Sequence, residues 1–193
     1  MEDYYDPKRR VRLLDSEDRA RWLKANDLIK KVAGITVGMT CIDLGSGTGA
    51  ISFPLASAVG NNGKVYAVDI SDEIIGRIRE KNPPSNLVPV ANDAGQTGLE
   101  SHIADVCFMV LLLHEVEHPE KILAEAFRLL KPGGKALVLE WREDFDSPHP
   151  PRNERITRKK AEQLFKEAGF SSFEYINWSR SHYIATGSKD STG

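Results

Sequence analysis

Apolar residues in this chain come in short runs separated by polar clusters, and the runs alternate between two periods. Continuous or alternating apolar runs of strand length lie at 39–44, 64–69, 86–90, 104–112, 135–141, 172–178 and 181–187. Between most of them, apolar positions recur every three or four residues, as they do along one face of a helix. The spacing predicts helices over 48–59, 71–81, 119–130 and 157–168. Ser71 suits the position before a helix, Pro119 suits a first turn, and Gly169 suits a stop. A further helix is expected from Asp15 or Ser16 to Ala33, ended by Gly34. Its apolar stripe is Trp22, Ala25, Leu28, Ile29 and Val32.

Strands alternating with helices imply an α/β fold, a parallel sheet covered by helices on both faces. The run Val106–Leu113 is apolar throughout, as a strand buried on both faces requires. The last two strands are joined too tightly for a parallel crossover, so they form an antiparallel hairpin. Residues 91–102 read as irregular, and residues 142–156 read as a charged, proline-bearing loop. Residues 1–187 are expected to form a single domain, with 1–34 as a leader able to act as a lid. Residues 188–193 are expected to be a disordered tail. Ligands of such sheets bind at the C-terminal ends of the strands.

Composition narrows the function classes. The chain has 193 residues and a formal net charge of -2. Stretches rich in Lys and Arg are nearly as rich in Asp and Glu, so there is no footprint for nucleic acid. The longest apolar run falls far short of the roughly 18 residues that span a bilayer, and the first ten residues carry no signal-peptide core. A cytoplasmic location is the default expectation. Cys41 and Cys107 lie inside apolar runs and are expected to be buried thiols. No Cys/His cluster has zinc spacing, and no metal is expected.

The chemistry concentrates at Cys41–Gly49, Cys-Ile-Asp-Leu-Gly-Ser-Gly-Thr-Gly. Gly45, Gly47 and Gly49 follow an apolar run, with Asp43 just before them. Glycines so placed let a strand turn sharply and a ligand approach the backbone. Asp69 ends the next apolar run, where a carboxylate can grip ribose hydroxyls. Together these signals indicate a nucleoside cofactor. Gly45, Gly47 and Ala50 also satisfy the loose dinucleotide pattern, so the glycines alone leave a nicotinamide oxidoreductase open.

The string Asp43-Leu-Gly45-Ser-Gly47-Thr-Gly49 resembles the first motif of class I S-adenosylmethionine-dependent methyltransferases. Asp69 in Val-Tyr-Ala-Val-Asp-Ile matches that family's ribose-binding acid, and Asn92-Asp93-Ala94 its adenine segment. Ala104–Leu113 matches the fourth strand, and Leu129-Leu-Lys-Pro-Gly-Gly-Lys135 the turn before the fifth. The small ubiquinone/menaquinone-biosynthesis-like branch, of methyltransferase type 11, is the most similar. The resemblance covers about residues 35–187. It implies a doubly wound, Rossmann-like sheet of seven strands, mostly parallel, with the antiparallel hairpin last. It implies S-adenosyl-L-methionine as cofactor and S-adenosyl-L-homocysteine as product. On this reading the N–H groups around Ser46–Gly49 meet the methionine carboxylate at a helix N-terminus. Asp43 meets the ammonium and Asp69 the ribose. Ile70 covers one adenine face, Asp93 accepts from the adenine amino group, and Asn92, Ala94 and Leu111 complete the contacts.

In that family the edge after the fourth strand faces the transferable methyl. Leu113-His114-Glu115-Val116-Glu117-His118 stands there. His114 is the candidate general base, because imidazole titrates near neutral pH; Glu115 either orients it or acts itself. His118 is expected to cap the helix that Pro119 begins. Trp141, closing the fifth strand, could stack on a flat acceptor or on the cofactor, or simply pack. Tyr4, Tyr5, Arg9 to Arg12 and the 142–155 loop are lid candidates. The motif of amino-directed nucleic-acid methyltransferases is missing after the fourth strand, as are the extra cysteines of arsenite methyltransferases. The expected partner is therefore a small-molecule methyl acceptor, with a homodimer as the default assembly. A catalytically silent cofactor-binding regulator or partner subunit is the alternative.

Overall fold

The computed structural model describes Leu14, Asp15 and residues 23–147 and 150–191. Ser16, Trp22, the lid candidates within residues 1–13 and the end of the expected tail lie outside the described residues. Seven strands form one sheet in the order β3-β2-β1-β4-β5-β7-β6. The chain divides into two compact units, residues 1–93 and 94–193. Among the described residues no helix is long and apolar enough to cross a membrane.

In the first unit β1 (Thr40–Leu44), β2 (Lys64–Asp69) and β3 (Leu87–Ala91) pair in parallel. Helices α1 (Ser52–Val59) and α2 (Asp72–Glu80) connect them. Ser71 caps α2 as expected, its side chain accepting from the Ile74 N–H at 3.3 Å. Ile42, Leu44, Leu55, Val59, Val68 and Ile75 are fully buried and carry the core. Asn86 is buried beside them, and its amide donates to the carbonyls of Ala56 and Gly60 at the end of α1. Helix α1 starts at Ser52 rather than at residue 48. Gly45, Gly47 and Gly49 all adopt positive φ, which no α-helix accommodates, so helical geometry waits until the glycines are past.

The leader also departs from expectation. A left-handed Lys24 is followed by a single α-turn, Ala25–Asp27, and a π-helical turn, Leu28–Ala33. Leu23, Leu28 and Ala33, spaced by fives in the sequence, are all buried. The wider i→i+5 turn aligns that spacing, whereas a regular α-helix would rotate it out of line. Gly34 ends the turn in the left-handed conformation, its N–H bonded to the Ile29 carbonyl.

The second unit holds β4 (Ala104–Val110), α3 (Pro119–Leu129), β5 (Leu130–Trp141), α4 (Arg158–Glu167), β6 (Glu174–Asn177) and β7 (His182–Ser188). Strand β4 runs parallel to β5, whereas β7 is antiparallel to both β5 and β6. The register of β4 on β5 jumps from Ala104↔Leu130 to Val106↔Lys135, which takes up the Gly133-Gly134 pair as an irregularity inside the strand. Cys41 and Cys107 are both buried, each within its own unit, as expected. Residues 188–190, expected as loose tail, are tied down. Lys189 Nζ donates to the Phe127 and Leu130 carbonyls at 2.8 and 3.0 Å, over the end of α3. The 142–155 loop is likewise wound around one side chain. The buried Arg155 guanidinium donates to the carbonyls of Arg142, Phe145, Ser147 and Pro150.

The irregular segment after Ala94 depends on Glu125 of α3. Glu125 is buried, accepts from the Thr97 N–H and hydroxyl at 2.9 and 2.6 Å, and is forked by Arg128. Arg128 in turn donates to the Leu99 carbonyl and the Ser101 hydroxyl. Removing the carboxylate strands two buried donors of Thr97, at about 1–3 kcal/mol each. Glu125→Ala is expected to lower unfolding stability by at least about 2 kcal/mol in urea titrations. A loss below about 0.5 kcal/mol would show that the segment is held by something else.

Candidate functional site

In the first unit the sequence-predicted residues stand at two strand ends. Leaving β1, the chain turns through Gly45–Ile51 with Gly45 at φ 70°, Gly47 at 54° and Gly49 at 93°. A Cβ on Gly49 would stand 2.8 Å from two ring carbons of Phe53. Both the backbone conformation and the close packing therefore require glycine there.

Asp69 locks this turn to the end of β2. It is only 6% exposed. Its Oδ2 accepts from the Gly47 N–H and its Oδ1 from the Ser71 N–H, each at 3.0 Å. Each oxygen keeps acceptor capacity beyond that one bond. Ile70, the next residue, is 74% exposed, a large apolar side chain presented outward beside a buried carboxylate. Asp43, buried at the end of β1, accepts from the Ser52 hydroxyl at 2.6 Å and so ties the strand to the start of α1. After β3, Asn92 and Asp93 are both exposed. The Asn92 N–H donates to the Asp69 carbonyl at 3.0 Å, and the Asn92 side chain accepts from the Asp93 N–H at 2.9 Å.

The turn's own N–H groups make several bonds within the chain. The Ser46 N–H bonds the Val68 carbonyl, Gly47 bonds Asp69, and Gly49 bonds the Ser46 carbonyl. Three of the four donors in Ser46–Gly49 are thus engaged within the chain, and the helix begins at Ser52. Leu14 and Asp15 of the leader reach this turn. Leu14 lies against the open face of Gly47, and Asp15 accepts from the Thr48 hydroxyl at 2.6 Å and from Lys81 at 2.9 Å. Lys81 also donates to the Thr48 carbonyl at 2.9 Å.

In the second unit β4 ends at Val110, and Leu111 follows at φ 55°. A left-handed leucine is strained; it is held by its N–H bond to the Leu139 carbonyl at 2.8 Å. Ala94 is buried. His114 stands two residues beyond Leu112, with its side chain 7% exposed. Its Nδ1 lies 2.7 Å from Oε2 of Glu140 and its backbone N–H 3.3 Å from Oε1. Glu140 is wholly buried near the end of β5, and Oε2 also accepts from the Trp141 N–H at 3.2 Å. Burial alone would lower the pKa of His114. The hydrogen bond and charge of Glu140 oppose it, with Glu115 and Glu154 adding their fields, and the net result is a pKa above the ordinary histidine value.

Sequence reasoning named His114 and offered Glu115, which is exposed, either to orient it or to act itself. Glu140 holds the ring instead. The signal was available: a lone acid inside the apolar run 136–141. His118 occupies the position before α3, yet its ring makes no cap and pairs with Glu120 at 3.1 Å. Trp141 packs against His182 at 4.2 Å and stacks on Phe145 at 6.1 Å between ring centroids.

Gly49→Ala tests the turn. Both the strained φ and the contact with Phe53 oppose it, so a loss of about 2 kcal/mol or more is expected in thermal unfolding. Unchanged unfolding would show that the turn tolerates a side chain.

A family of methyltransferase domains matches residues 42–138, half of the chain. The chain is 33% identical over 115 residues to the ubiquinone/menaquinone biosynthesis C-methyltransferase of Ectopseudomonas mendocina, covering 58% of this chain and 45% of that protein. To the enzyme of the same name from Brucella abortus strain S19 it is 36% identical over 110 residues, covering 55% and 41%. The matched segment thus spans less than half the length of these curated relatives. Among solved structures, a SAM-dependent methyltransferase from Aquifex aeolicus superimposes with a TM-score of 0.87 at 24% identity, covering 95% of this chain and 98% of that one. Phosphoethanolamine N-methyltransferase 2 of Haemonchus contortus, bound to S-adenosylhomocysteine, shares the fold at a TM-score of 0.73 and 16% identity, covering 88% and 53%. The fold is shared with these structures, and the match over half of the chain places the chain in that family of methyltransferase domains.

Proposed function

We propose that the chain methylates a small-molecule acceptor that loses a proton in the reaction, with S-adenosylmethionine as donor and His114 as general base. The observation that carries this reading is the clamped Asp69 beside an exposed Ile70. A buried carboxylate with acceptor capacity left suits a ribose diol. An apolar side chain standing out next to it suits one face of a purine. Asp93, whose backbone is fixed by Asn92, is the acceptor for the adenine amino group. Asp43 meets the ammonium while Ser52 holds it in place. Gly45, Gly47 and Gly49 supply close approach rather than a set of free donors, with Ser46 and Thr48 between them. Ala94 and Leu111 are the remaining contacts, and the strained turn at Leu111 carries the chain out of β4 toward His114.

The bound cofactor supplies a methyl group on a sulfonium, an excellent leaving group. The protein's task is to position the acceptor, exclude water and remove the acceptor's proton. That proton goes to Nε2 of His114, because Nδ1 faces a carboxylate that can only accept. The electron pair it leaves behind becomes the new bond to the methyl carbon. The relatives matched are named as C-methyltransferases, which favours an acidified carbon; a hydroxyl, amine or thiol would use the same base.

Asp69→Ala is expected to weaken S-adenosylmethionine binding in calorimetry by at least tenfold, since hydrogen bonds to a charged acceptor contribute about 1.5–3 kcal/mol each. Unchanged affinity would overturn the ribose assignment. Methyl-labelled S-adenosylmethionine incubated with the protein and a cell extract should place label in the small-molecule fraction, and His114→Gln should abolish most of it while retaining cofactor affinity. Label precipitating with macromolecules would overturn the acceptor class. Cofactor binding with no transfer at all would favour the silent regulator.

A further inference from the structure

Glu140 is the least expected residue of the second unit. Strand β5 is buried from Ala136 through Glu140, and every other residue of that run is aliphatic. A carboxylate there costs several kcal/mol in lost hydration unless donors surround it. Three donors do: the Trp141 N–H, the His114 N–H and the His114 ring. Two of the three belong to one residue of another segment, so the carboxylate is arranged around His114. Tyr183, paired with Glu140 across the β5–β7 ladder, sends its hydroxyl to the Ile156 carbonyl at 2.7 Å and leaves the carboxylate to the histidine. Burial first, and then the charge of Glu140, push the Tyr183 phenol well above its ordinary pKa.

We infer that Glu140 is a positioning residue for methyl transfer: it fixes the tautomer of His114 with the proton on Nδ1, and it balances the charge the ring gains when Nε2 takes the acceptor's proton. The inference rests on the reading of His114 as the base. In the neutral ring a proton on Nδ1 leaves Nε2 as the sole acceptor, which is what a base requires. When the bond from acceptor to hydrogen breaks and the Nε2–H bond forms, the ring becomes an imidazolium 2.7 Å from a carboxylate. The electron pair stays with the acceptor atom and passes to the methyl carbon, while the carbon–sulfur pair returns to sulfur. Glu115 and Glu154 also face the ring electrostatically, and the hydrogen bond to Glu140 at 2.7 Å sets its orientation.

The test separates charge from shape. Glu140→Gln keeps the volume and still offers an oxygen to the Nδ1–H, so a purely structural Glu140 would be nearly replaced. Nitrogen-15 spectra of the imidazoles of the full chain, assigned with His114→Gln, read the ring directly and need no substrate. The wild-type ring is expected to hold its proton on Nδ1 and to titrate above about 6.5. In Glu140→Gln the midpoint should fall by at least about one pH unit. In a turnover assay the rising limb of kcat should move down by the same amount, with little change in KM for S-adenosylmethionine. A ring that titrates alike in both proteins, or sits on the other tautomer in the wild type, would overturn the inference. Should Glu140→Gln not fold, the wild-type tautomer and midpoint decide the matter alone. Absence of methyl transfer with the predicted titration intact would sink the function and spare the pair; transfer without the titration shift would do the reverse.

Discussion

A carboxylate at the end of an otherwise apolar strand is the device on which the site depends. Strands β1, β2 and β5 are buried along most of their length, so hydrogen-bonding side chains are affordable only near their ends. Each ends on or beside an acid, Asp43, Asp69 and Glu140, and all three are almost completely buried. An acid so placed must find donors: Asp43 finds Ser52 at the start of α1, Asp69 finds Gly47 and Ser71 in loops, and Glu140 finds His114 in a loop and Trp141 at the end of its own strand. The loops thereby inherit the rigidity of the strands. Asp69 shows the consequence most directly, because the residue proposed to meet the ribose is also the residue that shapes the glycine turn.

Most of the fold was legible because its signals are local. Strand 64–69 is found at the bounds its apolar run gives, and Ser71 and Pro119 open helices as their chemistry requires. The closing hairpin followed from the short connection, since neither the two residues between the expected strands nor the four between those found can make a parallel crossover. What was missed needs information that is not local. The start of α1 depends on three glycines taking positive φ together. The π-turn at Leu28–Ala33 answers a five-residue burial spacing that a 3.6-residue template cannot see. Lys189 looks like part of a polar tail until the end of α3 is placed beneath it.

The site divides along the same line. Asp69, the glycines and His114 stand at strand ends, which the alternation of elements already located. The role of Glu140 was not legible, because its partner lies 26 residues away across a helix and most of a strand, though its place in an apolar run was visible. A single acid in an apolar run carries a cost, and the cost is what marks it. Nearness in sequence favoured Glu115 as the residue that orients His114; the residue that does so was the one whose position made no sense without a donor.

The His114–Glu140 pair also sets two demands against each other. A histidine whose pKa is raised on folding adds stability that is complete below the unfolded value of about 6.5 and is lost as pH climbs through the folded value. A general base needs the opposite form, the neutral ring, which accumulates over that same climb. The carboxylate therefore strengthens the base and, at a given pH below the raised value, reduces the fraction of it ready to act. Burial works against Glu140 by penalising the charged ring, and the two effects partly cancel. A base is most effective when its pKa lies near the working pH. Burying His114 while pairing it with one fully desolvated acid raises the ring's pKa by less than the acid alone would. An exposed partner, screened by water, would exert little of that control.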